Sequence, residues 1–290
     1  MPLYGVNGEA VSGVYTVDGT PISISDIPSP NIVDDAVSYE IFRSTTTGQT
    51  QGYCMDNSGN IYGIYYKLGK FVRYNVDTKT ETIFNTFTSG SEVYGHANGM
   101  AYNPYTDRIY IAPSLNTGEV YVINPTTLEL DTTLYAYQAD GVTPINVWNI
   151  CYNRTARKFI CLSQGTIYFY NDNFTLASTA SYTVEDWKLT RQDIETDGEY
   201  IYASSAYVTV SGVAGVDNAV YVFTMDGELV GTSVFDNQTD ELEDVCYDWR
   251  TGLFYSCYAR KSGGTGAKID LLNMKAFYSN AETESIIEVV

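Results

Sequence analysis

The stretch GMAYNPYTDRIYIAP, from Gly99 to Pro113, decides the fold of this 290-residue chain. It predicts a β-strand, a turn at Asn103 and a second strand, because β-branched and aromatic residues flank a polar, turn-forming centre. The same pattern recurs as GYCMDNSGNIYGIYY from Gly52, NICYNRTARKFICLS from Asn149, DIETDGEYIYASSAY from Asp193 and DVCYDWRTGLFYSCY from Asp244. The turns begin at Asp56, Asn103, Asn153, Asp197 and Asp248, which are 44 to 51 residues apart.

Further strands complete each unit. A third strand follows in all five units, as KFVRYNVDT, GEVYVINPT, GTIYFYNDN, NAVYVFTMD and AKIDLLNMK, and four units continue into a more polar fourth strand. Four strands per unit at this spacing predict an all-β fold, a five-bladed β-propeller over residues 36–290. The segment AVSYEIFRSTT, residues 36–46, is expected to close the ring by pairing with the last blade, which removes two exposed edges. The pattern leaves open which terminus supplies the closing strand.

Residues 1–35 differ from the repeats. LYGVNGEAV and VYTVDGTPI each place an Asn-Gly or Asp-Gly turn signal between apolar residues, which predicts small β-hairpins. SDIPSPNIVDD then has the composition of a linker. Because hairpins of this size lack a core of their own, we interpret the segment as an attachment or oligomerisation module.

Composition excludes several classes of protein. The chain has 16 Lys and Arg against 35 Asp and Glu, a net charge of −19, so it would repel nucleic acid and a bare anionic membrane. The N-terminus lacks a basic segment followed by an apolar one, so a signal peptide is not predicted and synthesis in a cytoplasm is expected. The five cysteines form no C-x-x-C pair, and we interpret them as buried, reduced thiols.

Polar side chains cluster just before the innermost strand of each unit, at one end of the central channel. The candidate ligand-binding ring consists of Gln51, His96, Asn98, Trp148, Asn149, Arg191, Gln192, Glu241 and Glu243. Amide, imidazole and carboxylate groups pair with sugar hydroxyls, and an aromatic face stacks on the apolar side of a sugar. The alternative is that these residues only satisfy exposed strand ends.

Two harder chemistries remain open at this ring. One is a Ca²⁺ site, because Ca²⁺ prefers oxygen ligands such as the carboxylates of Glu241, Glu243 and Asp244. The other is catalysis, in which these carboxyl groups act as the acid and base of a glycosidase and His96 acts as a general base. Carboxylates two residues apart on a strand are close without any function. No nucleophile-elbow, H-E-x-x-H or phosphate-binding loop motif occurs. We therefore predict no enzyme, no catalytic residue and no cofactor, with Ca²⁺ as the open alternative.

The segment GHANGMAYNPYTDRIYIAPS, residues 95–114, followed by GEVYVINPTTLELDTTL, resembles a family of five-bladed propellers. The family includes teichoic-acid biosynthesis protein C-like proteins and the propeller domains of receptor-binding proteins in phages of Gram-positive bacteria. The shared motif is Gly95, His96, Asn98, Met100 and Tyr102, and the resemblance covers roughly Gly48 to Lys275.

The resemblance implies a non-enzymatic tail- or fibre-type protein of the virion. Such a protein is made in the host cytoplasm, binds a host surface glycan or a cell-wall polymer such as teichoic acid, and contacts other virion proteins through its N-terminal segment. The chain's negative charge favours a neutral glycan over a phosphate polymer, unless a cation or Arg191 intervenes. The alternatives are a structural head-fibre or decoration protein, and a polysaccharide-degrading enzyme; a homo-oligomer also remains open.

Overall fold

The computed structural model describes residues 14–15, 21–22, 37–44, 48–65, 70–85, 94–115, 117–183, 192–210, 213–235, 240–259 and 266–273. These residues form five four-stranded antiparallel sheets and one two-stranded sheet. The five large sheets are the blades of a five-bladed β-propeller, which confirms the all-β architecture predicted from the repeats. The described part of the chain contains no helix long and apolar enough to cross a bilayer.

The N-terminal part contributes three strands. Strands β1 (Val14–Tyr15) and β2 (Pro21–Ile22) pair with each other. The Asp-Gly turn predicted between them lies outside the described residues. Strand β3 (Val37–Arg43) belongs to the propeller. The other predicted hairpin and the proline-containing linker lie outside the described residues.

Four blades follow one another along the chain, each with its innermost strand first. Blade I comprises β4 (Thr50–Met55), β5 (Asn60–Tyr65), β6 (Lys70–Asn75) and β7 (Thr80–Asn85). Blade II comprises β8 (Gly99–Asn103), β9 (Arg108–Ala112), β10 (Glu119–Ile123) and β11 (Leu130–Tyr135). Blade III comprises β12 (Cys151–Asn153), β13 (Lys158–Ser163), β14 (Thr166–Tyr170) and β15 (Leu176–Ser181). Blade IV comprises β16 (Ile194–Thr196), β17 (Tyr200–Val210), β18 (Val213–Thr224) and β19 (Leu229–Phe235).

Blade V joins the two ends of the propeller. It comprises β20 (Glu241–Asp248), β21 (Leu253–Ala259), β22 (Ala267–Asn273) and, as its outermost strand, β3. Val37 pairs with Asn273, and Arg43 pairs with Lys268. The strand that precedes the first repeat therefore closes the ring, as expected, and the N-terminal side supplies it.

The innermost turns form where the sequence pattern places them, because their side chains bond the backbone locally. The carboxylate of Asp56 accepts hydrogen bonds from the N–H groups of Ser58 and Asn60 at 2.7 and 2.9 Å. The side-chain oxygens of Asn103, Asn153, Asp197 and Asp248 accept backbone N–H groups in the same way. This local bonding ends one strand and starts the next in every blade.

The buried apolar side chains of the described residues fall into five clusters, one between each pair of neighbouring blades. Blade I packs on blade II through side chains such as Phe71 and Ile109, both fully buried. Blade V packs on blade I through Tyr53 and Cys257. Each sheet therefore buries both faces only because it has two neighbours, so the ring must close for the core to form.

The propeller has two ends, which we call the top face, where the innermost strands begin, and the bottom face, where they end. Following the pairing of blade V outward, Glu241 lies opposite Ala259 at the top, and Asp248 lies opposite Leu253 at the bottom. Val37 and Asn273 pair at the bottom. The propeller strand nearest the N-terminus, β3, therefore begins at the bottom face, and the strand nearest the C-terminus, β22, ends there.

Candidate functional site

The predicted ring residues that the structure describes all lie at the top face, but their exposure differs. His96 is exposed, and Trp148 and Glu241 are half-buried. The others are buried, namely Gln51, Asn98, Asn149, Gln192 and Glu243. Arg191 lies outside the described residues. The surface that a ligand can reach is therefore smaller than the predicted ring.

The ring residues of blades I and V lie inside their strands and not before them. Strand β4 begins at Thr50 and strand β20 at Glu241. The register of β4 shifts by one residue between Thr50 and Tyr53, and that of β20 shifts between Leu242 and Asp244. These shifts are β-bulges, which insert an extra residue and re-aim its side chain.

The two bulges bring Gln51 and Glu243 together. The Gln51 side-chain amide donates to Oε1 of Glu243 at 3.4 Å and to the carbonyl oxygen of Thr50 at 3.0 Å. A second amide, that of Gln192, donates to Oε1 of Glu241 at 3.3 Å. The top of the axis therefore holds two amide–carboxylate contacts between blades.

Asn149 has a different task. Its Oδ1 accepts the N–H of Leu162 at 2.7 Å, and its Nδ2 donates to the carbonyl oxygen of the same residue at 3.3 Å. The side chain thus extends the pairing of β12 with β13 beyond the strand end. This supports the alternative, for this residue, that a ring side chain satisfies a strand end.

A buried carboxylate, Asp193, connects three blades beneath the ring. Its Oδ1 accepts the N–H groups of Ile150 and Ile194, both at 2.9 Å, and its Oδ2 accepts that of Met100 at 2.5 Å. Gly99 makes this approach feasible, because a Cβ there would lie 2.6 Å from Oδ1 of Asp193. Burial raises the pKa of Asp193, and the three N–H donors oppose that rise.

Carboxyl groups dominate the electrostatics of the top face. Burial raises the pKa of Glu243 well above its ordinary value, and the neighbouring Glu241 and Asp193 raise it further. Burial also raises the pKa of Glu241, against the hydrogen bond from Gln192. The pKa of Asp244 is raised by burial and by Asp193. Acidic groups are thus concentrated at this end of the axis, and their burial favours the protonated forms.

In the innermost strand of blade IV, Glu195 stands in the position that cysteine or alanine holds in the other blades. Its Oε1 accepts the N–H of Thr196 at 2.8 Å, and its Oε2 accepts that of Tyr247 in blade V at 3.3 Å. Burial raises its pKa to about 7. The five cysteines are free and buried, as expected.

The pattern of residue types missed Arg154, which spans the bottom of the channel. Its guanidinium bonds the side chain of Asn57 in blade I and lies 5.2 Å from the ring centroid of Trp249 in blade V. It also lies 5.9 Å from the ring centroid of Tyr102 in blade II. A turn residue that follows an Asn carries no signal for such a contact, because its partners come from other blades.

A separate polar cleft of about 400 Å³ opens on blade III, away from the predicted ring. It is lined by Arg157, Lys158, Asn171, Asp172, Asn173 and Thr175. An ion pair of 3.2 Å between Arg157 and Asp172 occupies part of its wall. In the described ranges, no three His, Cys, Asp or Glu side chains are arranged to hold a metal ion.

Comparison with known proteins finds the architecture and no relative by sequence. No protein-family model and no curated protein matches the chain. Glutaminyl cyclase of Myxococcus xanthus is similar in structure, with a TM-score of 0.58 and 13% identity over 84% of this chain and 97% of that one. Regucalcin, a calcium-binding protein of Agrobacterium tumefaciens, has a TM-score of 0.50 and 10% identity over 83% of this chain and 95% of that one. A luciferin-regenerating enzyme has a TM-score of 0.50 and 9% identity over 82% of this chain and 95% of that one.

These likenesses extend over nearly the whole of each solved chain. At such low identity they show the propeller fold alone and carry no statement about activity or ligand. The chemistry of this chain has to be argued from its own top face.

Proposed function

We propose that this protein is a non-enzymatic component of a phage particle that binds a host surface glycan or cell-wall polymer at its top face. The observation that carries the proposal is that the accessible ring residues and the ends of the chain's propeller strands lie on opposite faces. His96, Trp148 and Glu241 are accessible at the top, whereas the strands nearest the termini begin and end at the bottom, at Val37 and Asn273. An anchor that precedes β3 would leave the top face pointing away from the particle.

The rigidity of the top face supports binding. The accessible side chains stand on a layer of buried residues that are bonded between blades, including Asp193 and Gln51. An indole, an imidazole and a carboxylate on the same face offer a stacking surface and hydrogen-bond partners for hydroxyl groups. A prearranged site of this kind loses little conformational entropy when a saccharide binds.

The proposal assigns no catalytic step. Retaining and inverting glycosidases need an acid and a second carboxylate on either side of a sugar. Here Glu243 is 1% exposed and in contact with Gln51, so it lies under the surface that a polymer would reach. Together with the resemblance to phage receptor-binding propellers, this geometry supports binding as the proposed activity. Ca²⁺ is not required by this proposal.

Binding to purified Gram-positive cell walls and to a glycan array tests the proposal. The double variant His96→Ala with Trp148→Ala is expected to lose at least about tenfold in affinity, as for aromatic anchors in other interfaces. Tyr105→Ala is the matched control, because Tyr105 is 55% exposed on a bottom turn. Absence of binding to any surface polymer, or equal binding by the double variant, would overturn the proposal.

Two further measurements separate the alternatives. A structural decoration protein would enter particles when residues 1–35 are present and bind no wall polymer. A polysaccharide-degrading enzyme would release oligosaccharides from the same walls, and the release would depend on Glu241 and Glu243. We expect binding without release.

A further inference from the structure

A short hairpin, residues 135–145, projects from the outer edge of blade II at the top face. Tyr135 is the last residue of β11 and pairs with Glu119, the first residue of β10, so the hairpin begins where the outer strand reaches the top. The N–H of Gln138 donates to the carbonyl oxygen of Thr143 at 2.8 Å across the turn. The hairpin is therefore held by its own backbone hydrogen bonds.

The two faces of this hairpin differ. Ala136 and Ile145 are buried and belong to the apolar cluster between blades II and III. Tyr137 lies opposite Pro144, so their side chains share the outward face, and Tyr135 shares it because it is two residues from Tyr137. The rings of Tyr135 and Tyr137 are nearly parallel, with an angle of 18° and centroids 6.3 Å apart. Tyr135 and Pro144 are exposed, so an uncharged aromatic face is accessible to solvent.

The segment that follows the hairpin crosses the top of blade II toward the axis. Ser114, which follows the second strand of the blade, donates its N–H to the carbonyl oxygen of Val147 at 3.2 Å. Buried Ile145 and Val147 alternate with half-buried Asn146 and Trp148. This period of two is that of an extended chain, so Asn146 and Trp148 continue the outward line of the hairpin.

The outward residues form a continuous path from the outer edge of the blade to the axis, which we call the radial track. His96 lies at its inner end, because its N–H donates to the carbonyl oxygen of Pro113, the neighbour of Ser114. The track consists of Tyr135, Tyr137, Val142, Pro144, Asn146 and Trp148, none of which is charged. The four residues of extended chain from Pro144 to Trp148 span about 13 Å, which is more than one sugar ring covers.

The composition of the radial track fits a saccharide chain better than a protein partner. Six side chains are far fewer than the about 20–30 residues that each partner contributes to a stable protein interface. Parallel tyrosine rings and an indole stack on the apolar faces of sugars, and the amide of Asn146 pairs with hydroxyl groups. An uncharged path on a chain of net charge −19 favours a neutral ligand, because a polyanion would be repelled.

We propose that the radial track binds a neutral polysaccharide along its chain, with Tyr135 and Tyr137 on one sugar unit and Trp148 on another. The proposal rests on the proposed function and deepens it by naming the ligand as an uncharged polymer that is bound over several units. Two contacts on one polymer strengthen binding, because the second contact forms within the complex once the first is made.

Calorimetric titration of the full chain tests this inference, with neutral polysaccharide purified from Gram-positive walls and its disaccharide fragments as probes. The polymer is expected to bind at least about tenfold more tightly per disaccharide unit than the free fragment. Tyr135→Ala with Tyr137→Ala should remove this advantage and keep the disaccharide binding that Trp148 supports. Tyr105→Ala is the matched control, because it removes an exposed tyrosine from the bottom turn of the same blade.

The thermal midpoint of each variant identifies a loss of binding that is caused by unfolding. Tyr135→Ala alone carries the test if the double variant unfolds, because the Tyr135 side chain is 44% exposed. A loss of about threefold in polymer affinity is then expected from one stacking contact.

The outcomes separate this inference from the proposed function. Equal affinity for polymer and disaccharide, or wild-type polymer affinity in the tyrosine variants, would overturn the inference while wall binding stands. Binding of a phosphate-containing wall polymer in preference to the neutral one would do the same. A dimer in sedimentation that the double variant dissociates would show that the track is a protein contact, and would also overturn it. If the wild-type chain binds no wall polymer, the proposed function fails and this inference fails with it.

Discussion

The carboxylate of Asp193 in blade IV accepts the backbone N–H of Ile150 in blade III at 2.9 Å. The same carboxylate accepts Met100 of blade II through its other oxygen. One side chain thus binds backbone N–H groups at the start of two neighbouring innermost strands. The contact joins three blades at the narrowest part of the ring, where backbones converge and little else fits.

Asp193→Asn is expected to destabilise the protein by about 2–3 kcal/mol, because an amide places an N–H donor where a carboxylate oxygen accepted one and leaves buried donors unpaired. Urea denaturation measures the change. Asp226→Asn makes the same charge change at an exposed turn and should alter stability by less than about 0.5 kcal/mol. Equal effects of the two variants would contradict the assigned role of Asp193.

Gly99→Ala should lower stability by about 1–3 kcal/mol through overpacking. A Cβ at residue 99 would lie 2.6 Å from Oδ1 of Asp193 and 2.8 Å from Cα of Asn149, so either the carboxylate or blade III must move. Thermal denaturation is the measurement. Gly141→Ala is a control without crowding, since no atom lies within 4 Å of its Cβ; only its positive φ of 69° opposes the substitution. A smaller loss at Gly99 than at Gly141 would be inconsistent with crowding at the axis.

Arg154→Ala should destabilise the fold by about 3 kcal/mol, because it removes a guanidinium that blades I and V share and leaves Glu195 without a nearby cation. Arg157→Ala on the same turn provides the control. Its side chain is 56% exposed and its ion pair with Asp172 is on the surface, so about 0–1 kcal/mol is expected. If the two arginine variants have the same unfolding midpoint in urea, Arg154 does not connect the blades.

Stability should decrease as the pH rises from about 4.5 to about 7. In that interval Glu195, with a pKa of about 7 in the fold and an ordinary value of 4.5, binds more protons in the folded chain than in the unfolded one. Glu241, Glu243 and Asp244 have raised pKa values and act in the same direction. The thermal midpoint across this range measures the effect, and Glu195→Gln should flatten the curve. A midpoint that rises with pH, or a slope that Glu195→Gln leaves unchanged, would refute this assignment.

The five thiols should resist a disulfide reagent in the folded protein and react fully in denaturant. All five are buried, and burial raises the pKa of Cys54, Cys151 and Cys246 well above the ordinary value, so thiolate is scarce. Absorbance of the released chromophore counts the reacting thiols. Prompt reaction of even one thiol without denaturant would show that a blade opens locally.

Much of the fold could be predicted because its signals are local. The carboxylates of Asp56 and Asp197 accept backbone N–H groups two to four residues further along the chain, so each turn is specified by residues that are close in sequence. The alternation of apolar residues in each strand depends only on the period of the strand. The closing strand and its pairing with the last blade were predicted as well, but which terminus supplies it was not, because pairing with β22 joins residues from opposite ends of the chain.

The sequence pattern predicted at which end of the channel the ring residues lie, but not which of their side chains are exposed. The recurrence of polar residues placed Gln51 and Glu243 at the top face, but the two bulges that turn them toward each other leave no mark in the residue pattern. His96 was predicted just before an innermost strand, at one end of the central channel, and it is exposed there. The burial of Asn149 follows from its bonds to Leu162 in the next strand, thirteen residues away.

The sequence by itself determined the number of blades, the order of their strands and the sites of their turns, since each depends on interactions within a few residues. The tertiary structure alone decided what meets at the axis. Gln51 and Glu243 are 192 residues apart, and Arg154 and Asn57 are 97 apart. Contacts of that kind exist only after five separately specified sheets close into one ring, because closure and not local pattern sets the distance between their innermost strands.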